Sequence, residues 1–129
     1  MFQLRSFCFV TLLLVLFGGM AACNQVTPVF NVNEVVSDPG AFSGSLAVVG
    51  ITYAYSKENP DIIGIMDKKE LQCTTPNCSK VLLPVKITGD RPSVGDEVKV
   101  SGAMVKESWG YLLQAEAVHV VTRHKLGGN

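Results

Sequence analysis

A small all-β barrel of five strands, preceded by a short helix, is the fold class that the sequence predicts. Three observations carry the prediction. Runs rich in valine, isoleucine and tyrosine recur beyond Gly44, separated by clusters of glycine, proline, asparagine and aspartate. The first of these runs is long and has Gly50 in its middle, where a strand can bulge or coil sharply. The 129 residues leave room for one modest core, and a sheet so small removes its unpaired edges by closing on itself.

Taken in order, residues 31–37 read as a brief helix, with Asn33 as its N-cap and Asp38-Pro39-Gly40 ending it. The first strand covers residues 46–55. The second, residues 62–67, follows the turn signal Glu58-Asn59-Pro60-Asp61. The third covers residues 80–87, where Pro84 argues for an edge position or a bulge because it cannot donate to a ladder. The fourth, residues 97–105, is entered through Pro92-Ser93-Val94-Gly95-Asp96. A tight turn at Ser108-Trp109-Gly110 leads into the fifth, residues 111–121. No internal repeat, low-complexity tract or second domain interrupts this pattern.

Ahead of the barrel, Arg5 stands near the amino terminus, residues 7–17 are apolar, and Gly18, Gly19, Ala21 and Ala22 are small. This is the layout of a secretory signal, and a stretch that falls short of the about 20 apolar residues of a spanning helix. Met20-Ala21-Ala22-Cys23 resembles the lipobox of bacterial lipoproteins. The resemblance implies cleavage before Cys23 and acylation of its sulfur, so that the membrane is reached through lipid. Asn24 after the cysteine implies the outer membrane, facing the periplasm, in a bacterium with two membranes. The chain then divides into a signal peptide (1–22), a mobile tether (23–30), the barrel domain (31–123) and a tail (124–129).

The stretches VSDPGAFSGSLAVVGIT, RPSVGDEVKVSGAMV and GYLLQAEAVHVV resemble bacterial exported OB-fold proteins, across residues 31–121. The implied fold is a five-stranded OB-like barrel, with an SH3-like barrel as the competing architecture. The link 88–95 is too short for the helix that OB-folds usually carry between the third and fourth strands. In size and architecture the chain is also similar to the membrane-bound haem chaperones of cytochrome maturation, whose haem-linking histidine has a tyrosine nearby. Here Lys125-Leu126-Gly127-Gly128-Asn129 follows His124, without that tyrosine.

Of the four cysteines, Cys8 leaves with the signal and Cys23 is taken by lipid, so Cys73 and Cys78 remain as a disulfide pair in an oxidising compartment. A zinc site would need about four ligands, and His119 and His124 are distant in sequence. A redox-active pair is disfavoured by the wide spacing, and haem attachment by the lack of a histidine after Cys78. His119 alternates with Val118 and Val120, which places it on the surface or at the barrel mouth. Asp61, Asp67, Glu70, Asp90, Asp96, Glu97 and Glu107 read mostly as solvated turn and capping residues. No carboxylate pair, serine or cysteine has a recognisable acid, base or nucleophile partner, so neither catalytic residues nor a cofactor are expected.

Without Arg5 the side chains comprise ten basic and eleven acidic residues, with no basic stripe to release counterions, so nucleic acid is not an expected partner. The expected partner is an envelope protein or a small ligand. OB-folds bind on their second and third strands, between the loops joining strands one to two and four to five. Tyr53, Tyr55, Trp109 and Tyr111 flank those loops and form the predicted partner-binding patch. The competing reading is that Tyr53 and Tyr55, in the register of Val49 and Ile51, complete the core. The function expected is therefore a lipid-anchored extracytoplasmic binding or assembly module. The alternatives are a structural envelope lipoprotein and a haem- or metal-handling chaperone.

Overall fold

The computed structural model describes residues 26–73, 78 and 80–126. The signal segment and Cys23 lie outside the described residues. The elements in chain order are β1 (Val29–Asn31), α1 (Val32–Ser37), β2 (Ser45–Tyr55), β3 (Ile62–Met66), β4 (Leu82–Lys86), β5 (Asp96–Glu107) and β6 (Gly110–Arg123), with short 3-10 turns at Pro39–Ala41 and Lys68–Gln72.

Five of the strands form a ring, β2-β3-β4-β6-β5, closed by the pairing of β2 with β5. Neighbours are antiparallel except β4 and β6, which meet in parallel at Val85↔Leu113 and Lys86↔Gln114. This is the small OB-like barrel expected from the sequence. The sixth strand is unforeseen: Val29–Asn31, read as tether and helix start, lies parallel to β2 in the register Val29↔Ala47 to Asn31↔Val49.

The ring closes because β2 changes partner along its length. Ser45 to Ile51 pair with β5, and Ile51 to Tyr55 pair with β3. Gly50 sits at the handover. A β-carbon there would lie 2.7 Å from Val32 Cγ2 and 2.9 Å from the Met66 carbonyl oxygen, so glycine is what lets α1 and β3 approach β2 together. The register shifts between Thr52 and Ala54, leaving Tyr53 as the extra residue of a bulge. β6 skips Glu116 and Val121 in the same way against β5, and these two shifts bend the longest strand around the core.

Pro84 behaves as its chemistry requires. Ile87 donates its N–H to the Asp61 carbonyl, so by the antiparallel alternation Pro84, three residues earlier and opposite Gly64, falls at a pair without ladder hydrogen bonds. Its nitrogen faces the side where β6 reaches only Val85 and Lys86.

The core joins Leu46, Val48, Ile63, Ile65, Leu83, Val85, Ile87, Val98, Val100, Leu113 and Ala115 to Val32 and Val35 of α1. The two valines stand three apart, on one face of the helix, and burying each contributes about 1.5–3 kcal/mol. No helix lies between β4 and β5, as the short link predicted, and the core receives apolar cover from ahead of the barrel instead. The N-cap is Asn31, not Asn33. The side chain of Glu34 accepts the Asn31 N–H at 2.6 Å, and the N–H of Asn33 is taken at 3.0 Å by Asp67, from a distant part of the chain. Asn33 could not cap because Val32 must already be helical to enter the core. Phe30 and Phe42 meet edge to face at 4.9 Å, fastening β1 and the first 3-10 turn onto the barrel.

Candidate functional site

Alternation along β3 and β4 sends Ile63, Ile65, Leu83 and Val85 inward and leaves Ile62, Gly64, Leu82 and Pro84 on the outer surface, each partly covered. An outward face this apolar is unusual for an antiparallel barrel, where polar residues normally alternate with core. It forms the floor of two adjoining grooves. One, of about 210 Å³, runs between Ala54, Tyr55, Gly64 and Leu82. The other, of about 410 Å³, is bounded by Glu58, Asn59 and Trp109. Ser56, Ile62 and Pro84 belong to both, so the two make one trough.

The walls are held locally. In the β2–β3 loop Ser56 Oγ accepts the Asn59 N–H at 3.2 Å, and Asn59 Oδ1 accepts the Asp61 N–H at 3.0 Å. Ser56 and Ile62 also bond through their backbones. The opposite wall is the tip of the β5–β6 hairpin, where Glu107 faces Gly110 and Gly110 takes a φ of 146°. Trp109 stands in that turn 59% exposed, far more than a buried aromatic anchor of the fold would be. Tyr55 is held by its hydroxyl, which donates to the Pro92 carbonyl at 2.9 Å, and by Arg91, whose guanidinium lies 4.2 Å from the ring centroid.

Of the four aromatic residues predicted as one patch, Tyr55 and Trp109 border this trough. Tyr53, pushed out by the bulge, lines a separate groove, with the Lys80 ammonium 4.4 Å from its ring centroid. Tyr111 turns toward the first 3-10 turn, its hydroxyl 3.0 Å from where a β-carbon on Gly40 would stand. Both Tyr53 and Tyr55 keep more than a third of their surface exposed, so neither completes the core. Ile62, Leu82 and Pro84 were missed as site residues because an apolar strand residue reads by default as core. The clue was in the strand alternation, which gives each of these strands two apolar faces.

Cys73 and Cys78 are paired, with Cα atoms 6.4 Å apart, inside the range a disulfide spans. Among the described residues no group of three or more histidine, cysteine, aspartate or glutamate side chains could hold a metal ion. No helix among them is long and apolar enough to cross a membrane. His119 is exposed.

Three of the carboxylates read as solvated are buried: Asp67, Asp96 and Glu97. Each is satisfied by the protein. Asp67 accepts the N–H groups of Asn33 and Lys69, and Asp96 accepts that of Ser93 while facing Arg123 at 3.7 Å. Glu97 meets His124 Nε2 at 2.9 Å and Lys68 Nζ at 3.2 Å. The hydrogen bond with His124 holds the Glu97 carboxyl below its ordinary range; desolvation opposes this, and Lys68 adds to it. A carboxyl whose folded value is depressed stabilises the fold above its unfolded value and loses that contribution as pH falls through the folded value. We therefore expect Glu97→Gln to cost about 1–3 kcal/mol near neutral pH and progressively less on the acid side, read from urea midpoints of both proteins across the acid range.

No family model and no curated protein matches the chain. Among solved structures it is similar to an aspartyl-tRNA synthetase from Leishmania major Friedlin, at 13% identity and a TM-score of 0.48, over 81% of this chain and 22% of that one. The chain thus spans about a fifth of that protein's length, and the likeness carries no argument about activity.

Proposed function

We propose that the protein is a lipid-anchored extracytoplasmic binding module of the bacterial envelope, in which Cys23 carries the lipid and the trough outside β3 and β4 receives a partner. The single observation that supports this is the pairing of an apolar outer strand face with two exposed, locally braced aromatic residues, Tyr55 and Trp109. Apolar floors edged by tyrosine and tryptophan are the composition of binding hot spots, because these side chains offer large rigid contact area. The Cys73–Cys78 disulfide fits export, since such bridges persist in oxidising compartments. In this reading the module holds its partner without chemistry, and the lipid keeps the encounter at the membrane surface. A structural lipoprotein would have no use for the trough.

The test is crosslinking in intact bacteria, comparing the native chain with Trp109→Ala. Truncating a hot-spot tryptophan is expected to reduce the yield of the main crosslinked partner about tenfold or more while circular dichroism stays unchanged. An unchanged partner profile from a folded Trp109→Ala protein would remove the trough as the site. Cys23→Ser in the same cells should leave unlipidated precursor with its signal uncleaved, and mature-length protein that still partitioned into detergent would remove the anchor.

A further inference from the structure

We infer that the groove around Tyr53, on which the proposed function does not depend, is a second binding site, selective for a small organic anion with a compact apolar body. It measures about 310 Å³, the lower end of the roughly 300–1,000 Å³ typical of small-molecule sites. Five stretches of chain build it: the bulge of β2, the end of β3 at Met66, the second 3-10 turn with Cys73, Lys80 ahead of β4, and the segment that follows β6. The floor is apolar, with Met66 almost wholly buried and Leu71, Leu126 and the Tyr53 ring around it.

The charge on this groove is unbalanced. Lys80 and Lys125 both line it, against one carboxylate, Glu70. Lys80 is held over the face of Tyr53 and not by an acid, which leaves its N–H donors available to a ligand. Nearby acids are already engaged: Asp67 by two backbone N–H groups, and Glu97 by Lys68 and His124. Among the described residues neither Lys80 nor Lys125 has a carboxylate within ion-pair distance. The carboxyl-terminal wall is fixed in advance, because His124 donates its N–H to the Gly95 carbonyl at 2.8 Å and its ring meets Glu97. A ligand therefore meets a groove that combines apolar side chains with two lysines and has its carboxyl-terminal wall already held, the arrangement that favours a single carboxylate on a short hydrocarbon or aryl body.

The test uses the full chain in non-ionic detergent, labelled with carbon-13 at the methionine methyl groups. It is titrated with 3-phenylpropionate and with the neutral 3-phenylpropanol, free concentrations being fixed by dialysis. The Met66 methyl resonance is expected to shift saturably with the acid, and the alcohol to bind about tenfold more weakly for want of the charge-assisted hydrogen bond. Lys80→Gln and Lys125→Gln should each weaken the acid about threefold or more. Trp109→Ala, in the other groove, should leave its affinity unchanged. No saturable shift, equal affinity for acid and alcohol, indifference to both lysine substitutions, or dependence on Trp109 would each overturn the inference. A loss of partner crosslinking with Trp109→Ala bears on the trough alone, so the two sites fail independently.

Discussion

Gly102→Val is expected to be the most destabilising single substitution in the barrel. Gly102 lies opposite Ala115, just past the register shift at Ser101, where β6 carries the extra residue Glu116. A β-carbon at this position would sit inside contact distance of the Gln114 carbonyl oxygen and 2.9 Å from its carbon, and both atoms are backbone of the paired strand. Neither can swing aside as a side chain would. Valine adds two more atoms to that clash, and relief requires β6 to leave the ladder near Leu113, which is fully buried. The cost should exceed about 4 kcal/mol, against a total stability for small domains of roughly 5–15 kcal/mol. Far-UV circular dichroism and urea unfolding check it. Gly44→Ala is the calibration: its φ is 77° but open space surrounds it, so only the left-handed backbone is strained, at about 1 kcal/mol. Similar losses at the two glycines would contradict the packing argument.

Gly95→Ala is expected to be the next most damaging change, at about 3 kcal/mol. Here the two effects combine. The backbone has a φ of 97°, and a β-carbon would press on the His124 carbonyl oxygen. Gly95 also donates its N–H to Thr52 and accepts from His124, so one residue ties β2, the start of β5 and the segment after β6. The substitution should loosen Lys125 and Leu126 together with the ion pair at Glu97. The stability that Glu97 supplies near neutral pH should then fall along with the urea midpoint, and less of it should be left to lose on the acid side. A Gly95→Ala protein that kept the native pH profile would show that the segment is held by something other than this residue.

The strands were legible because each announces itself locally. The β3 reading, residues 62–67, overshoots the strand by one residue, since Asp67 turns back to cap the 3-10 turn. The β5–β6 hairpin runs further toward its tip than valine-rich runs suggest, because Lys106 and Glu107 are carried by cross-strand pairing with Tyr111 and Gly110, not by propensity. β1 has no such signal. Three residues cannot display alternation, and this strand exists through its alignment with Ala47, Val48 and Val49. The site was legible in part for the same reason. Trp109 is conspicuous as a tryptophan in a tight turn, whereas the exposure of Tyr53 depends on a bulge and that of Ile62 and Leu82 on how the ring closes. The Glu97, His124 and Lys68 cluster joins three distant stretches of chain, and local sequence carries no trace of it.

The seam between β2 and β5 has a kinetic consequence. It pairs Ser45 with Ala103 and Ile51 with Glu97, so the ring is completed only after residues 51–97 have been drawn into one loop. The β5–β6 hairpin, by contrast, closes across the neighbouring residues Ser108 and Trp109. Loop-closure entropy must be met before such distant contacts stabilise anything, which puts the molecule among the slow β-rich folders, on the order of milliseconds to seconds. The short hairpin can form before the seam does, which leaves the β5-facing edge of β2 unpaired until the ring closes. An unfolded chain in crowded surroundings is thus at greatest risk of joining a neighbour's strands just before its own ring shuts.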